Sequence, residues 1–335
     1  MLRLTTTPIT TQPAPTVRMQ LTSHSNLALR DQREAGGLRL ACELPRELAL
    51  ATIRDAAAMG YTELVFEGGE PLLHRGLADL LTRAERHNLR TTIITNGTLL
   101  PQARRLDLVA RLVDRIAVEL HGTGATHDAA VDRAGAFTQA LDGLALLRDA
   151  GATVDVRFAL TAANATELPD VLALSAAEGA GGVEVRSAYE GGLGDDAIAT
   201  LLDDAAAHAE ALGLTLTSDL VGRDELMLFR DHYVPTPAAR QLASVVPTIA
   251  IDATGRVRPI ARTLPPHLMI GNLHAARLPQ LAPLWLRSDR PRRLAEACDR
   301  AWWSAVAPDA PRATRWADEL ALHVDAPSAR RAIAA

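Results

Sequence analysis

Lysine is absent from this 335-residue chain, and all 35 basic side chains are arginine. Schiff-base and lysine-general-base mechanisms are therefore excluded. Cysteine is nearly absent as well: Cys42 and Cys298 stand too far apart to read as a disulfide framework or a metal knuckle, and two lone thiols read as packing residues. No run approaches the roughly 18 uninterrupted apolar residues that a bilayer span needs. The opening "MLRLTTTPITTQPAPT" has threonine and proline where an export signal has an apolar core. These absences predict a cytoplasmic protein with a disordered leader over residues 1–16 and no membrane partner. A formal charge of −5 without a basic run gives nucleic-acid binding no electrostatic support. A GxSxG elbow, a Walker loop and a paired CxxC are all missing.

What is present is a rhythm. Residues 17–218 alternate short β-branched runs with longer amphipathic stretches. The candidate strands are "VRMQL" (17–21), "ELVFE" (63–67), "TTIIT" (91–95), "RIAVEL" (115–120), "TVDVRFALT" (153–161), "GVEVR" (182–186) and "LTLTS" (214–218). Stretches such as "PRELALATIRDAAAMG" and "AGAFTQALDGLALLRDAG" each end on a glycine that can take the positive φ of a helix stop. Strand–helix alternation predicts an α/β fold with a parallel sheet and right-handed crossovers, and it puts the site in the loops after the strands. Beyond about residue 220 the rhythm stops. "PTIAIDATGRVRPIA" reads as a hairpin about "DATG", and the remainder, with Trp302 and Trp303, reads as a small α+β module over residues 219–335.

Chemistry-bearing residues fall at strand ends. "VFEGGEPLLH" places Gly68, Gly69, Glu70 and Pro71 after the second strand, where paired glycines permit close backbone approach. "TNGTLL" places Asn96 and Gly97 after the third; "VELHG" places Glu119 and His121 at the end of the fourth; "VDVRFALT" places Arg157 on the fifth, and Asn164 follows it. A carboxylate accepts hydrogen bonds from hydroxyl groups and a guanidinium pairs with anions.

In order and spacing these segments resemble the radical S-adenosylmethionine (radical SAM) superfamily. The resemblance implies a partial (β/α)6 TIM-like barrel over residues 17–218. It implies S-adenosylmethionine as cofactor, bound by Gly68, Gly69, Glu70, Asn96, Glu119 and Arg157. The hairpin and the later "IGNLHAARLPQL" resemble the auxiliary-cluster extension known as SPASM or twitch. Ile260 stands there where the family has a cysteine, and Ala301 at the partner position of Cys298.

One family feature is missing. The superfamily carries CxxxCxxC after its first strand, and "SNLALRDQ" keeps Asn26 and Leu27 while aligning Ser25, Leu29 and Gln32 with the three cysteines. Asp31 takes the place of an aromatic near the adenine. Three thiolates hold a [4Fe–4S] cluster in such proteins, so this loop predicts no cluster. The expectation that follows is a cluster-free protein using S-adenosylmethionine in non-radical methyl or alkyl transfer or cyclisation on a small molecule or peptide. Glu70, Glu119 or His121 would be the base, and the setting natural-product biosynthesis. The alternative is a catalytically silent pseudoenzyme, a scaffold or carrier for a partner enzyme or substrate peptide. A metal held by His24, His74, His121 or His127 is disfavoured, because their spacing matches no ligand motif.

Overall fold

A computed structural model describes residues 14–28, 42–187, 193–236 and 240–324. Residues 1–13 of the expected leader lie outside the described residues, and the first strand starts at Thr16. Seven strands run parallel and in chain order: β1 (Thr16–Thr22), β2 (Glu63–Gly68), β3 (Arg90–Thr95), β4 (Arg115–Leu120), β5 (Val154–Leu160), β6 (Gly182–Ser187) and β7 (Thr215–Ser218). The expected strands are all present. Between them lie α1 (Arg46–Ala58), α2 (Leu77–Arg86), α3 (Ala103–Leu112), α4 (Gly124–Ala130), α5 (Ala136–Asp149), α6 (Leu168–Ala177) and α7 (Asp195–Ala211). Gly60 and Gly151 follow α1 and α5 at φ 89° and 71°, the left-handed stop that the sequence anticipates.

Side-chain alternation decides which face is which. Val17, Met19 and Leu21, Leu64 and Phe66, Val118 and Leu120, Val156 and Phe158, and Val183 and Val185 join the buried core on the helix side. Each such burial contributes roughly 1.5–3 kcal/mol. The opposite, inner face takes the alternate residues: Arg18 and Gln20, Glu67, Glu119, Arg157, Glu184 and Arg186. A slip of one residue would drive these charges into the helix layer, so the register is strongly specified.

After β7 come β8 (Leu220–Gly222), α8 (Arg223–Leu228), α9 (Arg230–Tyr233) and α10 (Leu242–Val245). The hairpin follows, as β9 (Thr248–Ile251) and β10 (Arg256–Pro259), with β11 (Gly271–Asn272) beyond it. Asp252 shapes the turn, its Oδ1 accepting from the Thr254 and Arg256 amides at 2.9 and 3.1 Å, and Gly255 sits at φ 76°. β9 pairs parallel with the outer edge of β1, so the hairpin extends the barrel's own sheet into ten strands ordered β11-β10-β9-β1-β2-β3-β4-β5-β6-β7. Tyr61 Oη fixes the junction by donating to Val246 O at 3.0 Å.

The chain closes with α11 (Leu278–Arg287), α12 (Arg290–Ala305), β12 (Ala313–Arg315) and α13 (Trp316–Val324), and β12 pairs with β8. Trp302 is buried and donates from Nε1 to Leu226 O at 2.8 Å, whereas Trp303 is exposed. No helix among the described residues is long and apolar enough to cross a membrane.

Candidate functional site

The carboxyl ends of β1 to β5 are tied into one frame. Beyond β2, the Gly69 amide donates to Thr22 O and the Glu70 amide to His24 O, each at 2.8 Å, so this segment continues alongside the exit from β1. The two glycines serve that approach. A Cβ on Gly68, at φ 153°, would overlap Thr22 O, and one on Gly69 would overlap His24 O. The backbone that comes close is thus the protein's own, a structural demand that the motif alone does not reveal.

Glu70 is fully buried. Its carboxylate accepts from the Leu72 amide at 2.9 Å, the Asn96 amide at 2.9 Å, and Thr95 Oγ1 at 2.9 and 3.0 Å from its two oxygens. Burial pushes its pKa up to about 7 against the pull of those donors, and the Glu119 charge adds to the rise. A carboxylate so engaged clamps the β2 and β3 loops together. The expectation of a base at Glu70 thus meets a carboxylate whose oxygens already accept from Leu72, Thr95 and Asn96.

The Asn96 side chain is engaged in the same way. Its Nδ2 donates to Asn26 Oδ1 at 3.0 Å, and its Oδ1 accepts from the Thr98 amide and hydroxyl at 3.1 and 2.8 Å. Asn26 Nδ2 donates in turn to Thr98 Oγ1 at 2.8 Å. The side chains that the sequence offers as ligands hold the loop after β1 against the loop after β3. Ser25 accepts the Leu27 amide at 3.1 Å within that loop, while Leu29, Asp31 and Gln32 lie outside the described residues.

Glu119, His121 and Arg157 are brought together. Glu119 on β4 is the register partner of Arg157 on β5, and Arg157 that of Glu184 on β6. Arg157 Nε lies 3.1 Å from Glu184 Oε2, and Glu119 and Glu67 add their fields. His121 Nε2 stands 4.0 Å from Glu119 Oε2 at the mouth. The His121 amide donates to Nδ1 of buried His127 at 3.1 Å, which places the His127 ring proton on Nε2. Burial, then the neighbouring His121, pushes His127 down to about 4. Asn164 ties the two strand ends, donating to His121 O and Ala159 O at 2.9 Å each. His74 is structural: Nδ1 accepts from the Gly76 amide at 3.2 Å and Nε2 lies 2.9 Å from Leu44 O.

Several site residues escape the motif reading. Arg18, Glu67, Glu184, Arg186 and Arg262 form ion pairs on the inner face, and Glu167 holds Thr123 and Thr126 by their hydroxyls at 2.8 and 2.6 Å. For those on strands the signal available was polar residues alternating with buried apolar ones; Arg262 and Glu167 lie outside the strands and carry no such signal.

Residues 34–174 match a family model described as the Radical SAM superfamily. Over these residues the chain is similar to radical SAM domains. Fe-coproporphyrin III synthase of Methanosarcina barkeri is 30% identical over 161 residues, 48% of this chain and 40% of that protein. PqqA peptide cyclase of Granulibacter bethesdensis is 29% identical over 157 residues, 47% of this chain and 42% of that protein. The chain thus spans about two-fifths of the length of these curated relatives. Among solved structures, native anSMEcpe with bound AdoMet and Cp18Cys peptide superposes at a TM-score of 0.65 and 12% identity, over 93% of this chain and 96% of that one. That likeness bears out the partial-barrel fold with helices on a parallel sheet.

These findings overturn the cluster-free, non-radical transferase reading and its silent-scaffold alternative. The matched relatives are radical SAM enzymes named as synthases and cyclases, and they point to an iron–sulfur cofactor where the altered loop predicts none. The donor set of this chain is a separate finding. It holds two cysteines; Cys298 is buried in α12, where burial and then Asp299 push its thiol up to about 12. Three thiolates from this chain do not meet such a cluster, and no chemical step is derived through one.

Proposed function

We propose that this chain is an enzyme that binds S-adenosylmethionine at the carboxyl ends of β1–β5 and acts on a peptide. The observation that carries this reading is the placement of Glu119 and Arg157 as register partners on the inner face, beside loops fixed by Glu70, Asn26 and Asn96. The Glu119 side chain is 32% exposed and free to accept from ribose hydroxyls. Arg157 can pair with the methionyl carboxylate, its own charge being shared among Glu184, Glu119 and Glu67. The Gly68–Gly69–Glu70 segment runs beside the exit from β1 in the same frame, and the Glu119–His121 pair would exchange a proton with the substrate.

A peptide substrate is supported by one relative's being a PqqA peptide cyclase and by the peptide bound in the anSMEcpe structure. Deuterium exchange tests the cofactor site. S-adenosylmethionine is expected to slow exchange of the amides at Asn96–Thr98 and His121–Thr123, and an unchanged exchange map at saturating ligand contradicts the assignment.

A further inference from the structure

Two independent observations meet at Glu67. Its side chain is only 9% exposed, yet it takes two guanidinium groups, Arg18 from β1 and Arg262 from the loop after β10, the latter with Nη2 3.5 Å from Oε1. Burial opposes ionisation of this carboxyl, but Arg18, Arg262 and more distantly Arg157 hold it below its usual range, so it stays charged. Glu67 is shared between the two guanidiniums, and Arg18 faces Glu184 as well. The Arg262 side chain is 40% exposed, and among the described residues its ion pair is with Glu67. A planar fork of five donors, touched once and from beyond ordinary hydrogen-bond length, is open to a second carboxylate.

The second observation is the backbone that delivers Arg262. In the sheet, β10 is separated from β2 by β9 and β1, so the chain must cross two strands for Arg262 to reach Glu67. It turns through Ile260 at φ 59° and a tight bend in which the Ala261 amide donates to Pro259 O at 2.6 Å. A β-branched residue is strained in the left-handed region because its Cβ crowds the following carbonyl oxygen. Strain of this kind persists where surrounding structure enforces it, and it concentrates at functional positions.

We propose that Arg262, set beside Arg18 by their shared Glu67, is a specificity-determining residue that recognises a carboxylate of the substrate, selecting a peptide with an acidic side chain. The inference rests on the peptide reading above and names the substrate class of the same site. An incoming carboxylate takes the open fork of Arg262, and Glu67 keeps Arg18.

The test compares two hexapeptides that differ only in carrying two glutamates or two glutamines, both end-blocked and labelled with an uncharged dye. Their binding to the full chain is followed by fluorescence anisotropy at saturating S-adenosylmethionine. The acidic peptide is expected to bind at least tenfold more tightly than its amide twin. Arg262→Gln is expected to abolish that preference while leaving the thermal midpoint and S-adenosylmethionine affinity unchanged, and Arg262→Lys to restore part of it. Equal binding of the two peptides, no binding of the acidic one, or a preference that survives Arg262→Gln overturns the proposal. Loss of S-adenosylmethionine affinity in Arg262→Gln with the peptide preference intact also overturns it, because the carboxylate recognised is then the cofactor's. Wild-type S-adenosylmethionine binding, measured on the same samples, separates failure of this inference from failure of the cofactor site.

Discussion

Asn96 donates from its side-chain amide to Asn26 Oδ1 at 3.0 Å, joining the loop after β1 to the loop after β3 across 70 residues of sequence. Asn26 returns the bond through Thr98 at 2.8 Å, so one side chain carries both links. Asn26→Ala removes both and leaves Asn96 and Thr98 partners short. At about 1 kcal/mol per bond, and more where a buried group stays unpaired, the expected loss is about 2–3 kcal/mol in urea denaturation, with S-adenosylmethionine affinity reduced because the loops lose register. A variant of wild-type stability and affinity would show that these bonds do not hold the frame.

Close approach of the chain to itself gives a contrast between two glycines. Gly69→Ala sets a methyl against His24 O and within 2.8 Å of Ser23 O, both of them backbone, so nothing flexible can yield. Gly181→Ala meets Asp155 Oδ1 at 3.5 Å, an ordinary contact. Thermal unfolding is expected to show strong destabilisation of the first variant and little change in the second. Equal midpoints contradict the packing described for the segment after β2.

Two buried groups give stability opposite slopes with pH. Glu70 rises from 4.5 unfolded to about 7 folded, so the native state holds its proton longer and stability falls as pH rises from about 4.5 to about 7. His127 falls from 6.5 to about 4, so stability is lost as pH drops from about 6.5 towards 4. Glu70→Gln should remove the first slope and His127→Phe the second, each read from urea midpoints across pH 4–8. A slope that survives its own substitution means that another group is responsible.

Ile260 predicts an inverted substitution order. Glycine ordinarily costs more than alanine in a folded chain, by roughly 0.5–1 kcal/mol in regular structure. At φ 59° the penalty falls on any residue with a Cβ. Ile260→Gly should therefore be more stable than Ile260→Ala. The reverse order would mean that the loop relaxes out of the left-handed region.

How much of this was legible in the sequence follows from what each residue answers to. The strands were legible because Val17, Met19 and Leu21, or Val156 and Phe158, alternate with polar neighbours, and Gly60 and Gly151 marked the helix ends. The hairpin was legible from "DATG", but its docking on β1 was not, since nothing local to Thr248–Ile251 names the edge it joins. At the site, motif position found Glu70 and Asn96 yet missed that their polar atoms are spent on Thr95, Thr98 and Asn26. Arg262 was invisible for the same reason: its partner lies 195 positions away, three strands across the sheet. The altered loop at Ser25, Leu29 and Gln32 invited a conclusion about the whole protein's chemistry that the radical SAM relatives do not support.

Calorimetric titration with S-adenosylmethionine tests the account most directly, using the wild-type chain, Glu119→Gln, Arg157→Gln and Arg262→Gln. The expected result is saturable wild-type binding, weakened at least tenfold by each of the first two substitutions and unchanged by the third. At 1.4 kcal/mol per tenfold, that is about the strength of one charge-assisted hydrogen bond. Absence of binding heat at every temperature tried, or binding indifferent to both Glu119 and Arg157, would contradict the assignment of the cofactor to the inner ends of β4 and β5.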